Sequence, residues 1–175
     1  KNPFFSELAV GIEDSLYKLG LTPILANTND DLDRQNQVLR SMLENGVQGI
    51  ILSPARGTEG RHLDLLPPAL PVILAMRRIP GCERPYLGQD NFNGARKAVE
   101  HLIALGHTRI AFAACEREDG DHRDRFEAYC STLEARGLLS PDLIGRIPPH
   151  RLDGEKLIRN LMGMPNRPTA VFIAD

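Results

Sequence analysis

The sequence predicts an α/β fold in which a parallel sheet is covered by helices on both faces. Three observations carry this. Amphipathic stretches with apolar residues three and four apart alternate with short runs that are apolar at successive positions. A glycine closes the amphipathic stretch at positions 20, 46, 106 and 137, where a left-handed residue ends a helix. The runs that follow lack the polar alternation of a half-solvated strand, as strands buried on both faces must. Right-handed crossovers then follow from strand twist.

The elements follow in order. Residues 4 to 19 place Phe5, Leu8, Ile12, Leu16 and Leu19 on one helical stripe, which Gly20 ends. TPILANT (22–28) is a short strand. NDDLDRQNQVLRSMLENG (29–46) opens with capping carboxylates, turns Leu32, Leu39, Met42 and Leu43 inward and stops at Gly46. VQGIILSPA (47–55) is a second strand, GTEGRHLDLLPPAL (57–70) a loop with a weak helix, PVILAM (71–76) a third strand and RPYLGQDN (84–91) a shorter extended segment. FNGARKAVEHLIALG (92–106) is a helix burying Ala95, Val99, Leu102 and Leu105, and RIAFAA (109–114) is the strand after it. DHRDRFEAYCSTLEARG (121–137) is a helix with Phe126, Tyr129, Cys130 and Leu133 inward. Strand DLIGRI (142–147), helix GEKLIRNLMG (154–163) and strand TAVFIA (169–174) complete the series.

Bulk properties exclude several classes. The 175 residues are 42% hydrophobic and 25% charged, as in a soluble globular protein of one sizeable domain or two small lobes. Net charge is −2, with Lys and Arg scattered, so no electrostatic footprint for nucleic acid or an anionic membrane is present. No run approaches the roughly 20 apolar residues that span a bilayer. KNPFFSELAVG has no apolar core of a signal peptide, although a signal already removed would look the same. Cys82, Cys115 and Cys130 are odd in number and lack metal-ligand spacing, which points to reduced thiols in the cytoplasm.

Motifs for catalysis or cofactors are absent. There is no phosphate loop ending in Gly-Lys-Ser/Thr, no Gly-x-Gly-x-x-Gly after a strand, no Gly-x-Ser-x-Gly elbow and no His-Glu-x-x-His. RGTEG (56–60) follows a strand and could hold an anion at a turn, but a plain surface loop is the simpler reading. CEREDGDHRDR (115–125) holds a Cys, a His and several carboxylates; a solvated loop entering a helix N-terminus explains it without a metal. His107 stands just past a helix end, where it satisfies carbonyls and complements the dipole rather than binding a ligand. No cofactor and no metal are expected, and no enzymatic activity.

Several stretches together resemble the effector-binding core of the lactose/galactose-repressor (LacI/GalR) family of bacterial transcription regulators. NPFFSELAVGIEDSLYKLG (2–20) is similar to the family's opening and ANTNDDLDRQNQVLRSMLENGVQGIILSP (26–54) to its second βαβ step. PVILAMRRIPG (71–81), then LGQDNFNGARKAVEHLIALGHTRIAF (87–112), resembles the mid-domain signature, with HLIALGHTRIAF the strongest piece. DRFEAYCSTLEARG (124–137) and TAVFIAD (169–175) match later elements. The resemblance implies the two-lobed, periplasmic-binding-protein-like fold, with a small molecule bound between lobes. It implies residues 1–90 as the first lobe, 91–175 as part of the second, and a hinge crossover at Gln89, Asp90, Asn91, Phe92 and Asn93. Effector binding in such proteins changes the affinity of an N-terminal helix-turn-helix domain for operator DNA. The core is usually a homodimer, without a membrane partner.

The same resemblance implies site residues by position. Phe4 and Phe5 stand where the family packs a side chain against the ligand; Phe5 also continues the helical stripe, so core is its plainer role. Arg125 matches an arginine that hydrogen-bonds the effector; an exposed Arg paired with Asp121 or Asp124 is the alternative. Asp175 matches a polar residue at a strand end in the cleft, and Asp119 and Asp121 lie in a loop that reaches the ligand in some members. Met76 stands where members often carry Asp, so a thioether replaces an acceptor for a sugar hydroxyl. Arg77 reaches the cleft instead or points to solvent, and a less polar or anionic effector becomes more plausible than a neutral hexose.

The DNA-binding domain and the first core strand of the family pattern have no counterpart in these residues. They are therefore expected to be a fragment or to be completed by another chain, an expectation that a complete first-lobe sheet built from them alone would overturn. A periplasmic sugar-binding protein feeding a transporter shares the fold and is the alternative; an enzyme is a third reading that no motif favours.

Overall fold

The computed structural model describes residues 3–115, 120–147 and 153–174, and at positions 3, 115, 120, 121 and 153 it describes the backbone alone. Two compact units are present: Lys1–Gly49 with Ala55–Pro71, and Ile50–Pro54 with Val72–Asp175.

In the first unit, α1 (Pro3–Lys18) and α2 (Leu32–Glu44) are the helices the apolar spacing predicts. Asp31 caps α2, its carboxylate accepting the Arg34 amide at 2.7 Å. Leu8, Ile12 and Leu16 of the α1 stripe are half-buried, but Phe5 and Leu19 are exposed. Leu19 falls outside the helix, which ends at Lys18, and Phe5 packs edge-on against Phe4. The strand expected at 22–28 does not form. A strand exists only as half of a pair, and among the described residues nothing pairs with this segment, leaving Ile24 and Leu25 61% and 81% exposed. A turn follows in which the Asp31 amide donates to the Thr28 carbonyl across Asn29 (φ 53°) and Asp30 (φ 60°). Short polar side chains tolerate that left-handed pair best after glycine.

The second unit holds two parallel sheets. The first has the order β1 (Ile50–Leu52), β2 (Val72–Ala75), β3 (Tyr86–Leu87), with Ile50 opposite Val72 and Leu74 opposite Tyr86. Ile50 and Leu52 are buried while Ile51 is exposed, so this strand is not covered on both faces as its composition suggested.

In the second sheet β4 (Ile110–Cys115) lies between β5 (Ile144–Ile147) and β6 (Ala170–Ile173). This sheet is covered on both faces. Ile110, Phe112 and Ala114 pack with Val99 of α3 (Asn91–Ala104) and with Tyr129 and Leu133 of α4 (Gly120–Glu134). Ala111, on the opposite face, packs with Leu161 and Leu157 of α5 (Asp153–Met162) and with Leu143. The chain leaves β4 for one neighbour and returns past it to the other. Crossovers of one hand then require α4 and α5 on opposite faces, as these two clusters show. Leu105, expected inside, is 63% exposed because α3 ends at Ala104 and the stripe ends with it.

All four glycine caps are present. Gly20, Gly46, Gly106 and Gly137 have φ between 66° and 90°. At each, the glycine amide and the next amide donate back into the last turn, as at Gly106 to Ile103 (2.9 Å) and His107 to Leu102 (3.2 Å). Cys82 and Cys130 are unbridged. Among the described residues no helix is long and apolar enough to cross a membrane.

Candidate functional site

The strand order reverses around β4, and the carboxyl end of such a strand is where α/β sheets place ligands. Arg125, in the second turn of α4, comes to this end of the unit. Its Nε donates to Asn91 Oδ1 at 2.8 Å. Among the described residues no hydrogen bond or ion pair engages its two terminal amino groups. The ion pair with Asp124 does not form, and the Asp121 side chain lies outside the described residues.

Asn91 is the first residue of α3, and its side chain is buried. Asp90 caps this helix by accepting from the Asn93 amide (3.1 Å) and from Asn93 Nδ2 (2.8 Å). Those bonds, the side-chain one foremost, hold the Asp90 carboxyl below its ordinary range. Gln89 and Asp90 thus precede the helix, while Asn91, Phe92 and Asn93 form its first turn.

One turn before Arg125, His122 joins α4 to the end of β6. A carbonyl can only accept, so His122 Nδ1 carries a proton and donates it to the Ala174 oxygen, 3.0 Å away. Ala174 itself continues the ladder, its amide donating to Ala113 at 3.0 Å. Sequence reasoning did not single out His122 as a site residue. Its three-residue spacing from Arg125 on a helix was the available signal. Asp119 and Asp175 lie outside the described residues.

Met76 and Arg77 stand together at the carboxyl end of β2. Met76 has φ 65°, and the Arg77 amide donates to the Ala75 carbonyl at 2.8 Å. That is a γ-turn with a left-handed central residue, the rare and strained form. The Met76 amide is held by the Leu87 carbonyl at 2.8 Å, and the Arg77 guanidinium donates to the Pro54 carbonyl. Arg77 is thus half-buried and turned onto the end of β1.

Phe4 and Phe5 belong to the other compact unit, where their rings meet edge to face with centroids 5.4 Å apart. In that unit the RGTEG turn is closed from within. The Arg56 amide, first of the turn, donates to Asp30 Oδ1 (3.0 Å), and the Ala55 amide just before it to Gln35 Oε1 (2.6 Å), so side chains occupy both. Among the described residues the His107 ring hydrogen-bonds to no carbonyl; Nδ1 lies 3.0 Å from Thr169 Oγ1. Among the described residues no group of three or more His, Cys, Asp or Glu could hold a metal.

Comparison with known proteins agrees with this architecture. Residues 1–175 match the family described as periplasmic binding proteins and sugar binding domain of the LacI family. The ribose operon repressor of Escherichia coli K12 is 32% identical over 98% of this chain and 52% of its own length. A provisionally assigned ribose operon repressor from Burkholderia thailandensis superposes with a TM-score of 0.83 at 31% identity, covering 100% of this chain and 65% of that one. A LacI family regulator from Lactobacillus casei, solved with bound sucrose, is 26% identical with a TM-score of 0.75, over 98% of this chain and 64% of its own. The chain spans about half the length (52%) of the first of these relatives.

Proposed function

Because the chain belongs to the family of periplasmic binding proteins and LacI-type sugar-binding domains, we propose that it is the effector-binding core of a bacterial transcription regulator. The observation that carries this is Arg125, anchored by Asn91 at the carboxyl end of the sheet, its terminal amino groups engaged by no partner among the described residues. Two parallel N–H donors on a fixed plane suit vicinal hydroxyls or a carboxylate. Such a site binds and releases; it is not built to turn a substrate over. The regulator reading is favoured over a transporter's binding protein by the relatives, which are named as operon repressors and transcription regulators.

In this reading residues 1–90 and 91–175 contribute to two lobes with Gln89–Asn93 as a crossover, and the protein works in the cytoplasm as a homodimer. Operator DNA is bound through a separate N-terminal domain. Phe4, Phe5, Met76, Arg77, Asp119, Asp121 and Asp175 are further candidates for effector contact, proposed from their sequence positions.

The test is thermal shift of the full-length regulator against sugars, sugar phosphates, purines and small acids. A ligand at a hundred times its Kd adds about 2.7 kcal/mol. A hit that Arg125→Ala abolishes, with the unliganded midpoint unchanged, supports the assignment. A hit that Arg125→Ala leaves unchanged moves the site elsewhere, and turnover of a ligand overturns the reading.

A further inference from the structure

We propose that Asn91 is the positioning residue of the effector site: its amide oxygen sets the plane of the Arg125 guanidinium while leaving that group's charge and terminal donors for the ligand. The inference rests on the effector-binding reading above.

Asn91 is one of three buried polar residues among those described, with Gln35 and Thr58. A buried amide is tolerated only when bonded. Gln35 and Thr58 bond to each other (3.1 Å) and to Ala55, so these polar groups satisfy one another across α2 and the loop after β1. Asn91 has no such ring of mutual partners among the described residues. Its oxygen accepts from Arg125, 34 positions along the chain, at 2.8 Å, and its nitrogen reaches only the Gln89 carbonyl at 3.5 Å. The bond to Arg125 is thus the interaction that holds this side chain in place.

The anchor is rigid at both ends. Asn91 opens α3, whose start is locked by the Asp90–Asn93 cap. Helices α3 and α4 bury Val99, Tyr129 and Leu133 in one cluster, which fixes their spacing. A guanidinium is planar, so a bond at Nε settles its direction, and the edge carrying both terminal nitrogens is presented outward. A side chain ordered before the ligand arrives loses less freedom on binding.

The choice of amide over carboxylate has its own consequence. Aspartate at 91 would also hold Nε, but it would neutralise the guanidinium and could draw in a second nitrogen. Asparagine accepts one bond and adds no charge. The site therefore suits a ligand whose acceptors, hydroxyl pairs or an anionic group, meet a full positive charge.

The experiment is hydrogen exchange of arginine Nε–H groups by NMR in the full-length regulator, with Arg125 assigned by its loss in Arg125→Lys. Arg109 serves as internal control, since its Nε donates to the Asn166 carbonyl at 2.9 Å in the same unit. Asn91→Ala should accelerate exchange at Arg125 at least tenfold and leave Arg109 unchanged, and Asn91→Asp should keep Arg125 protected. Equal acceleration at both arginines means general loosening and overturns the proposal, as does no change at Arg125. With D-ribose as probe, Asn91→Ala should weaken binding by tenfold or more; undiminished binding despite faster Arg125 exchange also overturns positioning. If the wild type does not bind D-ribose, the exchange measurement decides: faster exchange at Arg125 alone supports the positioning role, and its absence overturns it.

Discussion

The Ala55 amide donates to Gln35 Oε1 at 2.6 Å, joining α2 to the loop that follows β1 by one bond between buried groups. Gln35 also donates through Nε2 to Thr58 Oγ1 at 3.1 Å, and Thr58 in turn donates to the Ala55 carbonyl at 2.6 Å. The three residues form a closed polar network in a buried place, where removing one member leaves its partners unsatisfied. Gln35→Leu, similar in size, orphans the Ala55 amide, and the expected loss is about 1–3 kcal/mol. Urea unfolding measures it. A loss no larger than that of an exposed α2 substitution such as Gln37→Leu would show that water replaces Gln35 without penalty.

Met76 tests whether the end of β2 is strained. At ordinary backbone angles, alanine is more stable than glycine by about 0.4–1 kcal/mol. At φ 65° the order reverses, because a β-carbon in the left-handed region costs about 1–2 kcal/mol. Met76→Gly should therefore unfold at a higher midpoint than Met76→Ala, a comparison from which loss of the thioether cancels. Strain held at a strand end by the Leu87 and Ala75 carbonyls fits a place where side-chain direction is used for binding. Alanine proving the more stable variant would remove that argument for Met76.

The helix–glycine–strand step was legible because its signals are local. A glycine after a 3.6-residue stripe has one favourable use, and all four predicted caps adopt it. The parallel pairing of both sheets follows from the same alternation. What local pattern could not reveal depends on partners distant in the chain. TPILANT has the composition of a strand but no described segment to pair with. The Asn91–Arg125 bond spans 34 positions, for which no spacing rule exists, and sequence weighed Arg125 against the near carboxylates at 121 and 124 instead. The γ-turn at Met76 was invisible for another reason: the sequence signals of a left-handed residue are glycine, asparagine or aspartate, and methionine is none of these.

Gly145 in β5 reports on how closely α5 approaches the sheet. A β-carbon at this position would overlap the Leu157 side chain. Gly145→Ala should then be destabilising by about 1–3 kcal/mol, although alanine is the better residue for a buried strand on propensity alone. Leu157→Ala creates a cavity and is destabilising by itself. The double variant is expected to be more stable than the sum of the two losses, because each substitution relieves the other. Strict additivity in a urea-unfolding cycle would mean that Leu157 changes rotamer freely and that glycine is not required.

Tyr129 couples the core of the second unit to pH. It lies buried between Phe112 and Phe172, and its hydroxyl donates to the Ile110 carbonyl at 2.8 Å. Burial, with the nearby Cys130 and Asp142 adding to it, pushes the phenol well above its ordinary pKa of 10.0. The folded state thus binds this proton more tightly than the unfolded chain does. The contribution is complete below pH 10.0 and declines as pH rises from there toward the folded pKa, because the unfolded chain releases the proton first. Tyr129→Phe removes the hydrogen bond and the titration together. At neutral pH it should be less stable by about 0.5–1.5 kcal/mol. Above pH 10.0 the gap to the wild type should narrow, since the phenylalanine variant has no proton to lose at this position. Midpoints of denaturant unfolding at pH 7 and pH 11 decide it. A gap that stays constant would mean that the hydroxyl ionises as readily in the folded protein as in the unfolded chain.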